Sequence, residues 1–343
     1  MNTTSKYRLS FLLLLLALVI SFLLNISLGS VSIPFQSTLN SIFESQIENE
    51  SWKYIIWNYR IPKAFTAVLA GSALALSGLL MQTLFRNPLA GPFVLGISSG
   101  ASLGAALFIM GTSLFSGFIA FEFIGNLSLA IASSLGSFLV LFLVLTVAAR
   151  VKDTMALLII GLMFGSVTAA IVSVLSYFTT SEKLQQYIYW SFGSLGDLTW
   201  TQLFLLGGIV LLGIILSIAS IKTLNALLLG ENYAQSLGVR LKKSRYIIII
   251  ATALLAGSVT AFAGPIAFVG LAVPHLTRQI FNTTDHKVLV PAVLLYGAIL
   301  MLLCDVIAQL PSSASVLPIN AITSIVGAPV VIWLLTRKRR MLF

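Results

Sequence analysis

Apolar runs of about twenty residues follow one another almost from end to end of this 343-residue chain. Hydrophobic residues make up 58% of it and charged residues only 9%, against about 25% charged in a soluble domain. So few charges cannot cover a water-facing surface, so the chain reads as an integral membrane protein. The runs are continuous rather than alternating, which excludes an outer-membrane barrel. The single cysteine, Cys304, lies inside an apolar run and permits neither an internal disulfide nor a cysteine metal site. A net charge of +10 reports orientation in a membrane protein rather than nucleic-acid binding.

Polar and basic breaks divide the runs into about ten spans, near 9–29, 64–84, 93–111, 124–148, 155–177, 200–221, 246–263, 266–280, 289–310 and 319–336. The first is read as a retained span rather than a signal peptide, being long enough to cross and lacking a small-residue cleavage site. The stretch 246–280 has basic residues only at its two flanks, Arg245 and Arg278. One helix of that length would reach roughly 50 Å, so the chain is expected to reverse at Ala263-Gly264-Pro265. An even number of spans puts both termini on one face. That face holds sixteen of the twenty Lys and Arg residues, which makes it cytoplasmic by the positive-inside rule. Aromatic clusters at Trp52–Tyr59 and Tyr187–Trp200 sit where an outer interfacial belt belongs. The expectation is an all-α, polytopic, single transmembrane domain over 1–343, with an outer loop at 30–62 and a polar interruption at 222–245 on the cytoplasmic side.

Small residues crowd the second and third spans, from Gly71 to Gly78 and from Gly96 to Gly104. Close helix packing is the favoured reading, and a weakly polar pathway lining the other. The nine residues Ala70–Gly78 match Ala256–Gly264 at five positions, a faint echo of the inverted halves found in many transporters.

Two sites are open to chemistry. Gly96–Gly100 fits GxSxG, so Ser98 with His275 could be an intramembrane nucleophile and base. A satisfied interfacial histidine is the plainer role for His275, and His286 stands alone in a loop. Asp305 is the one carboxylate inside a span, where a charge is expensive. It serves either a structural hydrogen-bonding role or, in an ion-driven secondary transporter, proton coupling. No Gly-rich phosphate loop followed by Lys occurs. If the chain serves active transport, a partner subunit must therefore spend the ATP. No metal-ligand set at helical spacing occurs either, and the chain is expected to hold no cofactor and no metal and to be no enzyme itself. Residues 222–245 are the natural contact for that partner. Their apolar first half suits a groove, and the basic end, Arg240–Arg245, suits anionic headgroups.

The stretch from Arg60-Ile61-Pro62-Lys63 through AGSALALSGLLMQTLFRNPLAGPFVLGISSGASLG resembles the iron-siderophore, haem and cobalamin ABC importer permeases. LNALLLGENYAQSLGV, GPIAFVGLAVPHLTR, TDHKVLVP, LPINAITSIVGAP and WLLTRKRR follow in the same order. The resemblance implies a ten-span permease in a bacterial or archaeal inner membrane, paired with a second copy. Two ATP-binding cassette subunits would lie beneath and an extracytoplasmic binding protein would dock outside. It implies ATPase coupling by Leu224, Asn225, Leu228, Gly230, Glu231, Ala234, Leu237 and Gly238. It also implies a cytoplasmic gate at Thr154 and docking of the binding protein at Arg60 and Lys63. Three positions depart from the pattern: Gln309 stands for an arginine, Val316 for a glutamate and Asn320 for a glycine. A third docking salt bridge at that corner is thereby in doubt.

Overall fold

The computed structural model describes residues 3–43, 49–111, 125–148, 154–309 and 315–336. Lipid offers no hydrogen bonds, so the backbone must satisfy itself within helices, and no strand occurs among the described residues. The order is α1 (Thr3–Ser27), α2 (Phe35–Phe43), α3 (Glu50–Ile55), α4 (Ile61–Phe85), α5 (Ile97–Met110), α6 (Gly125–Ala148), α7 (Thr154–Phe178) and α8 (Ser181–Ser191). Then come α9 (Trp200–Ala219), α10 (Ile221–Leu228), α11 (Glu231–Ser236), α12 (Leu241–Thr252), α13 (Ser258–Ala263), α14 (Val269–Phe281), α15 (His286–Ala308) and α16 (Ile319–Thr336). Among the described residues seven helical stretches are long and apolar enough to cross a membrane, and α5 and Ile319–Trp333 are shorter apolar helices. The protein is a multi-pass membrane protein.

Helix α4 is the axis. It is apolar nearly all round and buried along most of its length, as a helix enclosed by others must be. Helices α9, α10, α12, α14 and α15 pack around it. Its start is not a free end. One π-helical turn, Ile56–Arg60, joins α3 to α4, so that Glu50–Phe85 runs as one 36-residue helix. Pro62 lacks the N–H that would bond four residues back, and the wider turn absorbs the defect. Most of the described residues of 30–62, expected as a loop, are therefore helical.

The crowded glycines are packing positions. A Cβ at Gly78 would drive into the backbone of Gly270 on α14, and one at Gly71 into the carbonyl of Gly297 on α15. In the same way Gly100 and Gly104 on α5 meet Gly136 and Ala132 on α6. Small side chains let these backbones touch, where dispersion and weak C–H contacts replace a hydrophobic drive. Large side chains face outward instead, among them Phe138, Phe142, Val174 and Phe204, forming an apolar coat.

The chain reverses at Gly264, which adopts φ +75° after α13 ends at Ala263. Phe268, at φ +66°, then opens α14. The Asn320 side chain accepts from the Ala267 N–H at 3.0 Å, so one departure from the family pattern braces this turn.

Candidate functional site

Helix α10 leaves α9 after only Ser220 and lays Leu224, Ala226 and Leu227 against the body. Gly230 then takes φ +105° and ψ 153°. A side chain there would have room, its nearest neighbour being Arg86 Nη1 at 3.7 Å from a Cβ, so the backbone torsion is what demands glycine. Glu231 opens α11, and Ala234, wholly buried, pins it. The Val239 N–H returns to the Ala234 carbonyl and the Gly238 N–H to Gln235, with Gly238 at φ +83°. That is a Schellman ending. Glu231 also pairs with Arg245 at 2.6 Å, so Arg245 belongs to this segment rather than standing free for lipid headgroups.

The result is a small platform. Leu229, Tyr233 and Leu237 are all more than half exposed, at 63%, 54% and 59%. An open cleft of about 620 Å³ lies beside them, lined by Arg86, Leu229, Gly230, Glu231, Asn232, Tyr233 and Ser236. Of the residues expected to meet a partner, Leu224 and Ala234 instead face inward, since burying them is what fixes the two helices. Leu228 is half-buried, and Leu229 and Tyr233 were missed. The glycine at positive φ resets the helical phase, so the outward face cannot be carried across it from the sequence, and residue 233 rather than 234 faces out.

Asn225 also turns inward. Its Nδ2 donates to Asp285 Oδ1 at 2.7 Å, and its Oδ1 accepts from the His286 N–H at 2.9 Å and from His286 Nδ1 at 2.7 Å. His286 Nε2 lies 2.8 Å from the Thr83 hydroxyl on α4. The donor at Asp285 fixes the orientation of the amide. In a neutral ring the proton then sits on Nδ1, and Nε2 and the Leu79 carbonyl, 2.9 Å away, are the two acceptors within reach of the single Thr83 hydroxyl proton. Asp285 caps α15 through the Lys287 N–H at 3.0 Å. Burial raises its pKa, but that N–H, the Asn225 amide and the Lys287 charge outweigh it and hold the carboxyl below its ordinary range. His286, expected alone in a loop, is instead a fully buried first residue of α15.

The opposite end of the bundle carries charge. Lys63 Nζ is 3.1 Å from Asp305 Oδ1, while Asn25 and Gln309 donate to Oδ2 at 2.8 and 2.7 Å. Asp305 is therefore engaged by one lysine and two amides, the kind of contact a structural hydrogen-bonding role needs. Arg60 is 7% exposed. It donates to the carbonyls of Ile26 and Ser27 at 2.9 and 2.7 Å, and to that of Val31. This closes the C-terminal end of α1. Neither Arg60 nor Lys63 stands free for an outside partner: the last carbonyls of α1 hold one and a buried carboxylate the other. Gln309 spends its amide on Asp305, and Val316 is exposed.

Ser98 and His275 are not brought together. Ser98 lies 3.5 Å from the Thr260 hydroxyl, and His275 Nε2 is 2.8 Å from the Pro88 carbonyl. The nucleophile–base reading fails on that geometry. Thr154 opens α7, and its side chain falls outside the described residues.

A multi-helix bundle with irregular turns inside it and a small two-helix platform at one end has the make-up of an ABC transporter permease. Residues 16–337 match the model of the FecCD transport family, and the chain belongs to that family. The vitamin B12 import system permease protein BtuC of Klebsiella pneumoniae is 37% identical over 328 residues, covering 95% of this chain and 93% of the relative. BtuC of Salmonella typhi is 38% identical over 287 residues, with 83% and 84% covered. A solved inward-facing structure of a metal-chelate type ABC transporter superposes with a TM-score of 0.80 at 31% identity, covering 93% of this chain and 97% of the other. PsaBC from Streptococcus pneumoniae, at 14% identity and a TM-score of 0.54, shares the fold.

Proposed function

We propose that this chain is the membrane permease of an ATP-driven importer for a metal chelate of cobalamin, haem or siderophore type. In this reading two copies form the pathway in a bacterial cytoplasmic membrane, each with ten spans and both termini inside. An ABC ATPase binds beneath each copy and spends the ATP, this chain holding no cofactor of its own. An extracytoplasmic binding protein selects the chelate and delivers it, and Thr154 lies at the inner constriction. The chelate is large and amphipathic, which suits a smooth apolar path.

One observation carries the reading. In a FecCD chain, two short helices hinged at Gly230 turn Leu229, Tyr233 and Leu237 outward beside an open cleft at the basic end. Apolar side chains presented on a short helix are what a partner's groove takes up. ATP-driven movement of that partner would displace the platform and alternate access.

Gly230→Pro cannot adopt φ +105°, since proline is held near −65°. Glu231→Arg sets two cations against each other at residue 245. Both are expected to insert normally and to lose uptake in proteoliposomes assembled with the ATPase and binding protein. Wild-type uptake by either variant would contradict the coupling role.

A further inference from the structure

Helices α4 and α15 run antiparallel and are fastened at both ends and in the middle. At the platform end Thr83 meets His286 at 2.8 Å. Midway, the Ser72 hydroxyl donates to the Leu294 carbonyl at 2.9 Å, beside the close approach of Gly71 to Gly297. At the far end Lys63 meets Asp305 at 3.1 Å. Each step from Lys63 towards Thr83 on α4 is matched by an equal step back from Asp305 towards His286 on α15. The two end fastenings lie about 30 Å apart at 1.5 Å per residue, the thickness of the hydrocarbon core.

Such a pair cannot slide without breaking a buried polar contact and lifting one backbone off another. It moves as a unit or not at all. Asn225 hooks the platform to that unit with a single amide. It donates to the carboxylate that caps α15 and accepts from the first N–H and the first side chain of the same helix. Helix α10 further lays Leu224, fully buried, into the same neighbourhood. A displacement of the platform is thus delivered to the N-terminus of α15, and through Thr83 to the end of α4.

We propose that Asn225 is a positioning residue that ties the coupling platform to a rigid α4–α15 strut, so that movement at the ATPase face reaches the Lys63–Asp305 end. This deepens the importer reading and rests on it. It differs from a role in docking the ATPase, because the Asn225 amide is spent inward while Leu229, Tyr233 and Leu237 face out.

The test is a charge-relocation pair in the assembled transporter, with cyanocobalamin, haemin and a ferric hydroxamate as probes and uptake per ATP hydrolysed as the readout. Asn225→Asp places a second carboxylate against Asp285 and is expected to lower chelate moved per ATP by about tenfold, the scale of one coupling contact. Asp285→Asn added to it removes the like-charge pair and restores a donor opposite the new carboxylate, giving up the Lys287 N–H bond that uses the same oxygen, and leaves both His286 contacts in place. The paired variant is expected to regain a ratio within about twofold of wild type. A fold defect would lower uptake and hydrolysis together and leave their ratio unmoved. A wild-type ratio in Asn225→Asp, or a paired variant as uncoupled as the single one, would overturn the proposal. Should Asn225→Asp fail to accumulate in the membrane, Thr83→Val cuts the same link at α4, with a fall in the ratio expected and an unchanged ratio overturning it. If wild type itself moves none of the probes with ATP, the importer reading fails first, and this proposal with it.

Discussion

The two ends of the α4–α15 pair are fastened by different chemistry. At the platform end the link is neutral, a threonine hydroxyl and an imidazole, with an asparagine amide laid across them. At the far end it is ionic, a lysine and a carboxylate that also collects the Asn25 and Gln309 amides. A neutral hydrogen bond can open and close at small cost. A buried ion pair that loses one member leaves a charge stranded, and that is far more expensive. The contrast makes the far end the costlier of the two fastenings to break.

Substitutions at the two ends sharpen this difference. Lys63→Met is expected to destabilise the protein by about 3–5 kcal/mol, because it strands Asp305. The double variant Lys63→Met with Asp305→Leu should recover most of that loss, since an apolar pair needs no partner. Thr83→Val, by contrast, should cost about 1–2 kcal/mol. Thermal unfolding in detergent, read as a double-mutant cycle, checks all three. Equal costs at both ends would erase the comparison.

A smaller effect belongs to Asp285. Its carboxyl is held below the ordinary value of 3.8, so the stabilisation it gives is fully present above that pH and is lost as pH falls through the lowered value. Asp285→Ala should cost about 1 kcal/mol at neutral pH, as for other N-caps. The gap between variant and wild type should hold from pH 7 down to about 4 and narrow only below it. A gap that closes between pH 7 and pH 5 would place the titration elsewhere.

Much of this is legible in the sequence. Continuous apolar runs announce helices because lipid allows little else, and Gly264 with Pro265 marks a reversal that length alone requires. What stayed hidden were pairings between residues far apart in the chain. Nothing local shows that Lys63, at a helix start, lies beside Asp305, or that Asn25 inside an apolar run completes that site. Arg60 looked like a free surface cation because one sequence cannot show three carbonyls converging on it. His286 looked like a loop residue because the four polar residues before it, Asn282–Asp285, hide a helix start. Only Asp285, an N-cap residue just ahead of an apolar run, signalled it. The outward face of the platform was misplaced by one residue, since helical phase cannot be carried across a glycine at positive φ.

The most direct measurement of the central claim is chelate uptake into proteoliposomes holding this chain, with and without its ATPase partner. Each would be driven either by ATP on the platform side or by a proton gradient alone. The account expects uptake only where ATPase and ATP are both present, and none from the gradient, because Asp305 is already engaged by Lys63, Asn25 and Gln309. Gradient-driven uptake by the chain alone, abolished by Asp305→Asn, would contradict it.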